Sequence, residues 1–256
     1  MDQSASPVSG RKIVVTGGAS GIGRAVAQRL SASGAEVAII DFDGDRARDV
    51  ARELGGRTVA FTCDIADEQS VEDAFLGAVD ALNGLDGLVA NAGIQLFGQD
   101  APIHELSASV FDTTIRTNVR GTFLTCRAAA RQMISAATGG SMVLTGSPTG
   151  LFGLARGFTA YSTSKSSILG LMRVMAADLA PHDIRVNAVV PGFTATPLVS
   201  ALTENVQDVT ALVNTIPLGR PGSAHDVAPM FEFLLGADAA YATGGVFTVD
   251  GGMTAI

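Results

Sequence analysis

Short β-branched runs alternate with longer helical patterns from one end of this chain to the other, and that alternation constrains the fold more than any single motif. Ile13-Val14-Val15 precedes a helix predicted over Gly21–Ala32, and Val37-Ala38-Ile39-Ile40 precedes one near Asp45–Leu54. Thr58-Val59-Ala60-Phe61 leads to a helix near Glu68–Leu82, and Leu88-Val89-Ala90 to a long one from Ser107 to Ile134. Met142-Val143-Leu144 is followed by a loop and a helix that begins near Tyr161, whose apolar stripe is Ile168, Leu171, Met172, Met175 and Leu179. Val186-Asn187-Ala188-Val189-Val190 precedes a variable segment and a helix near Ala224–Leu235, and Val246-Phe247-Thr248-Val249 closes the series. The strands are short and apolar on both faces, as a sheet covered by helices on each side requires. Alternation of this kind makes the sheet parallel, with right-handed crossovers. The predicted fold is α/β: a single-domain, Rossmann-type, doubly wound sheet of seven parallel strands flanked by helices on both faces.

Composition agrees and narrows the function. The chain has 256 residues, 47% hydrophobic and 16% charged, which suits one ordinary α/β domain with ample core. Residues 1–10 read as a flexible polar tail and 11–256 as the single domain. A net charge of −8 argues against nucleic acid and against anionic membranes as partners. No apolar run approaches the roughly 20 residues of a membrane span, and the start lacks the order of a signal peptide, so a cytoplasmic location is expected. Cys63 and Cys126 show no metal spacing and are expected as buried thiols; His104, His182 and His225 are scattered, so no metal site is predicted.

Thr16-Gly17-Gly18-Ala19-Ser20-Gly21-Ile22-Gly23 follows the first strand and opens a helix. Gly17, Gly21 and Gly23 allow a tight turn and close approach of backbone to a pyrophosphate, with Ser20 and Ile22 between them. The helix N-terminus beyond offers free N–H groups and the positive end of its dipole. Asp41 ends the second strand, roughly 20 residues on, where a carboxylate accepts from ribose hydroxyls and repels a 2′-phosphate. Neither Ser20 nor Phe42 could attract that phosphate, so NAD is expected rather than NADP. Asp64, with Ile65 after it, and Asn91-Ala92-Gly93 follow the next strands at the same sheet edge, where a dinucleotide would lie. The same residues also suit plain turn chemistry.

Tyr161-Ser162-Thr163-Ser164-Lys165 sets a phenol and an ammonium on one face of a helix. At roughly 4–5 Å and an effective dielectric near 20 the attraction is about 3–4 kcal/mol. That is enough to move a phenol from about 10 toward neutral pH. Such a group gives or takes a proton at a reacting oxygen.

Assembled in this order, the Gly-rich turn, Asp64, Asn91-Ala92-Gly93, Asn118, Ser147, Tyr161-x-x-x-Lys165 and Pro191-Gly192 resemble the short-chain dehydrogenase/reductase family over the whole chain after residue 10. The resemblance implies hydride transfer between a nicotinamide and a carbonyl or alcohol. It implies that Tyr161 is the general acid/base, that Lys165 lowers its pKa and holds the nicotinamide ribose, and that Ser147 polarises the substrate oxygen. It implies that Asn118 sits at a backbone break in its helix and holds a water next to the lysine. Pro191, Gly192, Thr194 and Thr196 match the segment that grips the nicotinamide carboxamide. There are departures: Ala90 stands where the family often has Asn, Ser147 lies one residue further from Tyr161 than is common, and Pro148 follows Ser147 directly.

The expected substrate pocket is Gln95, Leu96, Pro148, Leu154, Phe158, Phe193 and Leu198, the last in an apolar lid over about 194–214 with Val199 and Leu202. It is mostly apolar and implies a small uncharged alcohol or ketone; Arg156 is expected at the surface. The resemblance also implies a homotetramer through the long helix and the Tyr161 helix. The expected activity is an NAD(H)-dependent interconversion of a secondary alcohol and a ketone. A reductase of 3-oxoacyl chains on a carrier protein is an alternative that Asp41 and the −8 charge oppose. A non-catalytic NADH-sensing regulator is a further alternative, opposed by the presence of Ser147, Tyr161 and Lys165 together.

Overall fold

The structure, a computed structural model, describes residues 6–154, 156–198, 210 and 212–255. In chain order it runs β1 (Lys12–Thr16), α1 (Gly21–Ala32), β2 (Glu36–Asp41), α2 (Gly44–Leu54), β3 (Thr58–Thr62), α3 (Glu68–Leu82) and β4 (Gly87–Ala90). It continues with α4 (Ala108–Thr114), a π-helical segment (Ile115–Gly121), α5 (Thr122–Ala136), β5 (Gly140–Thr145), α6 (Thr159–Leu179) and β6 (Ile184–Pro191). Two-residue strands β7 (Thr194–Ala195) and β8 (Gly222–Ser223) pair with each other; α7 (Ala224–Leu235) and β9 (Val246–Val249) complete the series. Among the described residues the main sheet has seven strands, all parallel, in the order β3-β2-β1-β4-β5-β6-β9.

Strand side chains alternate between two cores, as the period of two requires. Val14, Ala38, Ile40, Leu88, Val186 and Val190 pack on one side with Phe75, Leu124, Met133 and Met172 of α3, α5 and α6. Ile13, Val15, Val37, Ile39, Val89 and Val189 pack on the other with Leu30 of α1 and Phe231 and Leu234 of α7. Both layers are built mostly from apolar side chains, so the central strands are largely apolar, with Thr16, Ser141, Thr145 and Asn187 as buried polar exceptions. The edge strands β3 and β9 are only half-buried, because each has a neighbour on one side only.

Helix ends follow their capping residues. The side chains of Asp43 and Asp67 accept from Arg46 N–H and Ser70 N–H to start α2 and α3, and Ser223 with Asp226 forms a capping box on α7. One expectation fails: residues 6–10 are not a loose tail. Val8 is fully buried in the α1–α7 core, and Ser6 Oγ donates to Glu232 at 3.3 Å. A single valine in a polar stretch carries no periodicity that would reveal its burial. The expected lid falls largely outside the described residues, Val199 and Leu202 included.

Candidate active site

The order in which strands are added to the sheet reverses between β1 and β4, and the loops beyond their carboxyl ends open a cleft there. A cavity of about 820 Å³ fills it.

At one end lies the Gly-rich turn. Gly17 and Gly21 have φ of +64° and +53°, which only glycine adopts without strain. A Cβ on Gly23 would stand 2.0 Å from the Gly17 carbonyl oxygen, so the first turn of α1 folds directly onto the loop. Asp41 closes the turn from below: its carboxylate accepts from the N–H of Ala19 at 2.9 Å and of Asp43 at 3.0 Å. Each oxygen keeps lone pairs toward the cavity, which Asp41 lines with Ser20, Ile22 and Phe42. Asp64 and Ile65 line the next wall, and Asp64 Oδ1 accepts from Ala66 N–H at 2.9 Å. Asn91 lines the cavity and also ties three strand ends together. Its Nδ2 donates to the carbonyls of Thr16 and Gly17 at 3.3 Å, and its Oδ1 accepts from Thr145 Oγ1 at 3.2 Å. Ala92 and Gly93 form the floor beside it. A dinucleotide fits this cradle: the Gly23 contact leaves no room for a side chain in the turn, and a carboxylate with spare acceptors waits at the strand end.

At the other end β5 leads into Ser147, and α6 begins at Thr159, so Tyr161 is in its first turn and Lys165 one turn deeper. Lys165 is buried, and its Nζ donates to the Thr145 carbonyl at 2.9 Å and lies 5.6 Å from the centre of the Tyr161 ring. Burial pushes the Lys165 ammonium down to about 8. Burial pushes the Tyr161 phenol up to about 12, opposed by its hydrogen bond with the Ser147 hydroxyl. Burial therefore works against the expected lowering of the phenol's pKa by the neighbouring ammonium. Ser147 Oγ is also 3.1 Å from Thr149 Oγ1 and accepts from Thr149 N–H at 3.3 Å, within the short turn that Pro148 begins.

Asn118 stands behind this wall, not in it. It is fully buried in the middle of the π-helical segment, where the helix widens by one residue per turn. Its amide accepts from Ile94 N–H and donates to the Ile94 carbonyl, both at 2.8 Å, and donates to Ser164 Oγ at 3.0 Å. Ser164 in turn donates to the Tyr161 carbonyl at 2.7 Å. A Cβ on Gly93 would meet Asn118 Oδ1 at 3.1 Å and Lys165 Nζ at 3.9 Å, so glycine keeps these groups within reach of one another.

The remaining wall comes from β6 and the segment after it. Pro191, Gly192, Phe193, Thr194 and Thr196 all line the cavity, and Thr196 faces the Gly-rich turn, its Cβ 3.4 Å from where a Cβ of Gly21 would be. Gln95, Pro148, Leu154, Phe158 and Leu198 line the outer part. Leu96 does not; its carbonyl instead accepts from the N–H groups of Gln99 and Asp100 in a turn. Arg156 is exposed and away from the cavity. The described lining also includes Thr149, Leu212 and Met253, which sequence reasoning missed; the last two come from segments distant along the chain and carry no local signal. Among the described lining residues the charged groups are Asp41, Asp64 and Lys165 alone. No group of three or more His, Cys, Asp or Glu able to hold a metal occurs among the described residues. No helix among them is long and apolar enough to cross a membrane.

The chain matches, over residues 17–254, a family model described as enoyl-(acyl carrier protein) reductase. It is 40% identical over 252 residues to 2,5-dichloro-2,5-cyclohexadiene-1,4-diol dehydrogenase of Sphingobium indicum, covering 98% of this chain and 100% of that one. Its fold superposes with a TM-score of 0.91 on a short-chain type dehydrogenase/reductase from Mycobacterium marinum, 35% identical, covering 97% of each. It superposes at 0.88 on a 3-ketoacyl-(acyl-carrier-protein) reductase from Brucella melitensis complexed with NADH, 30% identical, covering 96% of this chain and 99% of that one. This chain belongs to the short-chain dehydrogenase/reductase family. It is an oxidoreductase acting on CH–OH donors, of a family that binds a nicotinamide cofactor.

Proposed function

We propose that the chain is an NAD(H)-dependent dehydrogenase/reductase that interconverts an uncharged secondary alcohol and its ketone, with Tyr161 as general acid/base. The observation that carries this reading is one cavity with the Asp41 carboxylate at one end and Ser147, Tyr161 and Lys165 at the other. Asp41 opposes a 2′-phosphate, which supports NAD over NADP. Beyond Tyr161 the lining is Gln95, Pro148, Leu154, Phe158, Phe193 and Leu198, without a charge to pair with an ionised substrate. The neutral diol in the name of the Sphingobium relative supports the same substrate class.

The nicotinamide, when bound, supplies or accepts the hydride. The protein's own part is positioning and proton movement. Ser147 Oγ donates to the substrate oxygen and orients it, while the Tyr161 hydroxyl gives that oxygen a proton during reduction or takes one during oxidation. With its pKa held up to about 12, the phenol is protonated at neutral pH, so reduction has its acid in place. Oxidation needs the phenolate, which the adjacent Lys165 cation favours. Gly17, Gly21 and Gly23 with the start of α1 would hold the pyrophosphate, Lys165 the nicotinamide ribose, and Gly192, Thr194 and Thr196 the carboxamide. Asn118, anchored to Ile94, would hold a water beside Lys165.

The Brucella reductase favours a second reading, a 3-oxoacyl chain on a carrier protein. The net charge of −8 disfavours docking of an acidic carrier. The two buried free thiols fit a cytoplasmic location, and we place the enzyme there as a homotetramer.

A panel of alcohols and ketones with NAD(H) and NADP(H), read at the nicotinamide absorbance band, tests the proposal. Neutral secondary alcohols with NAD should turn over fastest. Tyr161→Phe should cut kcat by about 10²–10⁴-fold at every pH while leaving NADH binding intact. Undiminished turnover in that variant, or faster turnover of charged substrates, would refute the reading.

A further inference from the structure

The first turn of a helix leaves backbone N–H groups without partners inside the helix. In α6 that turn holds Tyr161, yet the capping position is Phe158, and the cap residue makes no side-chain hydrogen bond. The missing acceptor comes from the loop after β4. Asp100 Oδ1 accepts from the N–H of Ala160 at 3.0 Å, and Oδ2 accepts from the N–H of Tyr161 at 2.9 Å, across 60 and 61 residues of chain. Oδ1 also accepts from Ala101 N–H at 3.0 Å, which orients the carboxylate from its own loop. Two further contacts join the same loop to the same helix start. Thr159 Oγ1 donates to the Ala101 carbonyl at 2.7 Å, and the rings of Phe97 and Phe158 meet edge-to-face with centroids 5.7 Å apart. A carboxylate here also faces the positive end of the helix dipole.

We infer that Asp100 is a positioning residue for the reaction: it closes the first turn of α6 and so fixes Tyr161 against Ser147 at the reacting oxygen. The inference rests on the reading of Tyr161 as the proton-transfer group. Helix ends fray from the first turn inward. Without Asp100, Tyr161 lies in the fraying turn, whereas Lys165 is one turn deeper and held by Thr145. The Gly-rich turn and Asp41 stand on other loops, and Asn91, at the start of the Asp100 loop, is tied separately to Thr16, Gly17 and Thr145, so loss of the cap should act on the chemical step and spare dinucleotide binding. A misplacement of about 1 Å at a reacting group costs about 100-fold in rate.

The test compares Asp100→Ala, Asp100→Ser and Asp100→Asn in the full-length protein, by steady-state kinetics and by hydrogen exchange of the segment containing Ala160 and Tyr161. Asn is a good helix cap and keeps one acceptor; Ser is too short to reach α6 but preserves an acceptor for its own loop. In D100A and D100S, kcat should fall about 10–100-fold with KM for NAD changed less than about 2-fold. Exchange at 160–161 should speed up about 10-fold while β1 and β4 keep their protection. D100N keeps one acceptor but sets its NH2 against the other backbone N–H, so both quantities should lie between those of D100S and the wild type. Should D100A fail to fold, D100S against D100N decides alone. Wild-type kcat or wild-type exchange in D100S would overturn the inference, and so would equal kcat losses in D100S and D100N. A wild-type protein with no turnover on the alcohol panel would instead sink the functional reading, and the exchange comparison would still decide whether Asp100 caps α6.

Discussion

Lys165 is the one charged side chain in the core, and its ammonium has a single backbone carbonyl, that of Thr145, as its hydrogen-bond partner among the described residues. Its pKa, pushed down to about 8, makes stability depend on pH with a definite sign. Between about 8 and the ordinary 10.5 the unfolded chain holds the proton and the folded protein has released it. Folding is therefore favoured as pH rises through that window, and below it the fold carries the cost of a buried cation. Lys165→Met removes that cost together with the activity. Its stability advantage over the wild type should be largest below pH 8 and about 3 kcal/mol smaller above pH 10.5. Urea unfolding of both proteins across that range checks it, and a difference that does not vary with pH would contradict it. The four-residue spacing of Tyr161 and Lys165 made their pairing legible in the sequence. The direction of their shifts was not, because it depends on how much water the neighbouring strands and loops exclude.

At the scale of elements, the long helix expected from Ser107 to Ile134 forms as α4, a π-helical segment and α5. Asn118 is where that helix, the loop after β4 and α6 are joined, through Ile94 and Ser164. Asn118→Ala would take away the partner of both the N–H and the carbonyl of Ile94, which are part-buried beside the cavity. The expected cost is about 2–4 kcal/mol in unfolding free energy, since each stranded group loses its full desolvation penalty. Chemical denaturation measures it; a loss under about 1 kcal/mol would mean that water replaces the amide. Most element ends were readable because they depend on local signals, such as Asp67 before α3 and Ser223 before α7. The β7–β8 pair and the cap on α6 were not readable, because their partners lie far apart along the chain.

The whole molecule leaves large apolar side chains uncovered on α5 and α6: Phe123, Ile134 and Val174 are all exposed, Val174 to 60%. In the proposed homotetramer these helices meet their counterparts. Val174→Asp would bury a carboxylate in that interface. Sedimentation should then show dimers or monomers where the wild type is tetrameric, with unchanged circular dichroism. A V174D protein that still sediments as a tetramer would move the interface elsewhere. Val8 shows the same dependence on assembly at the level of one chain: its neighbours alone mark it as tail, and only the docking of α1 against α7 gives it a core to enter.

What the sequence determined by itself is whatever short-range physics decides: the order of strands and helices, the parallel sheet, the glycine turn, and the residue types at each strand end. These depend on period, capping and backbone freedom, which act over a few residues. The tertiary structure alone decided that Asp100 reaches the helix of Tyr161, that Asn118 binds Ile94, that Leu96 stays out of the cavity lining, and that burial shifts Tyr161 up and Lys165 down. Those outcomes depend on which distant segments meet and how completely they exclude water, and no local pattern encodes that.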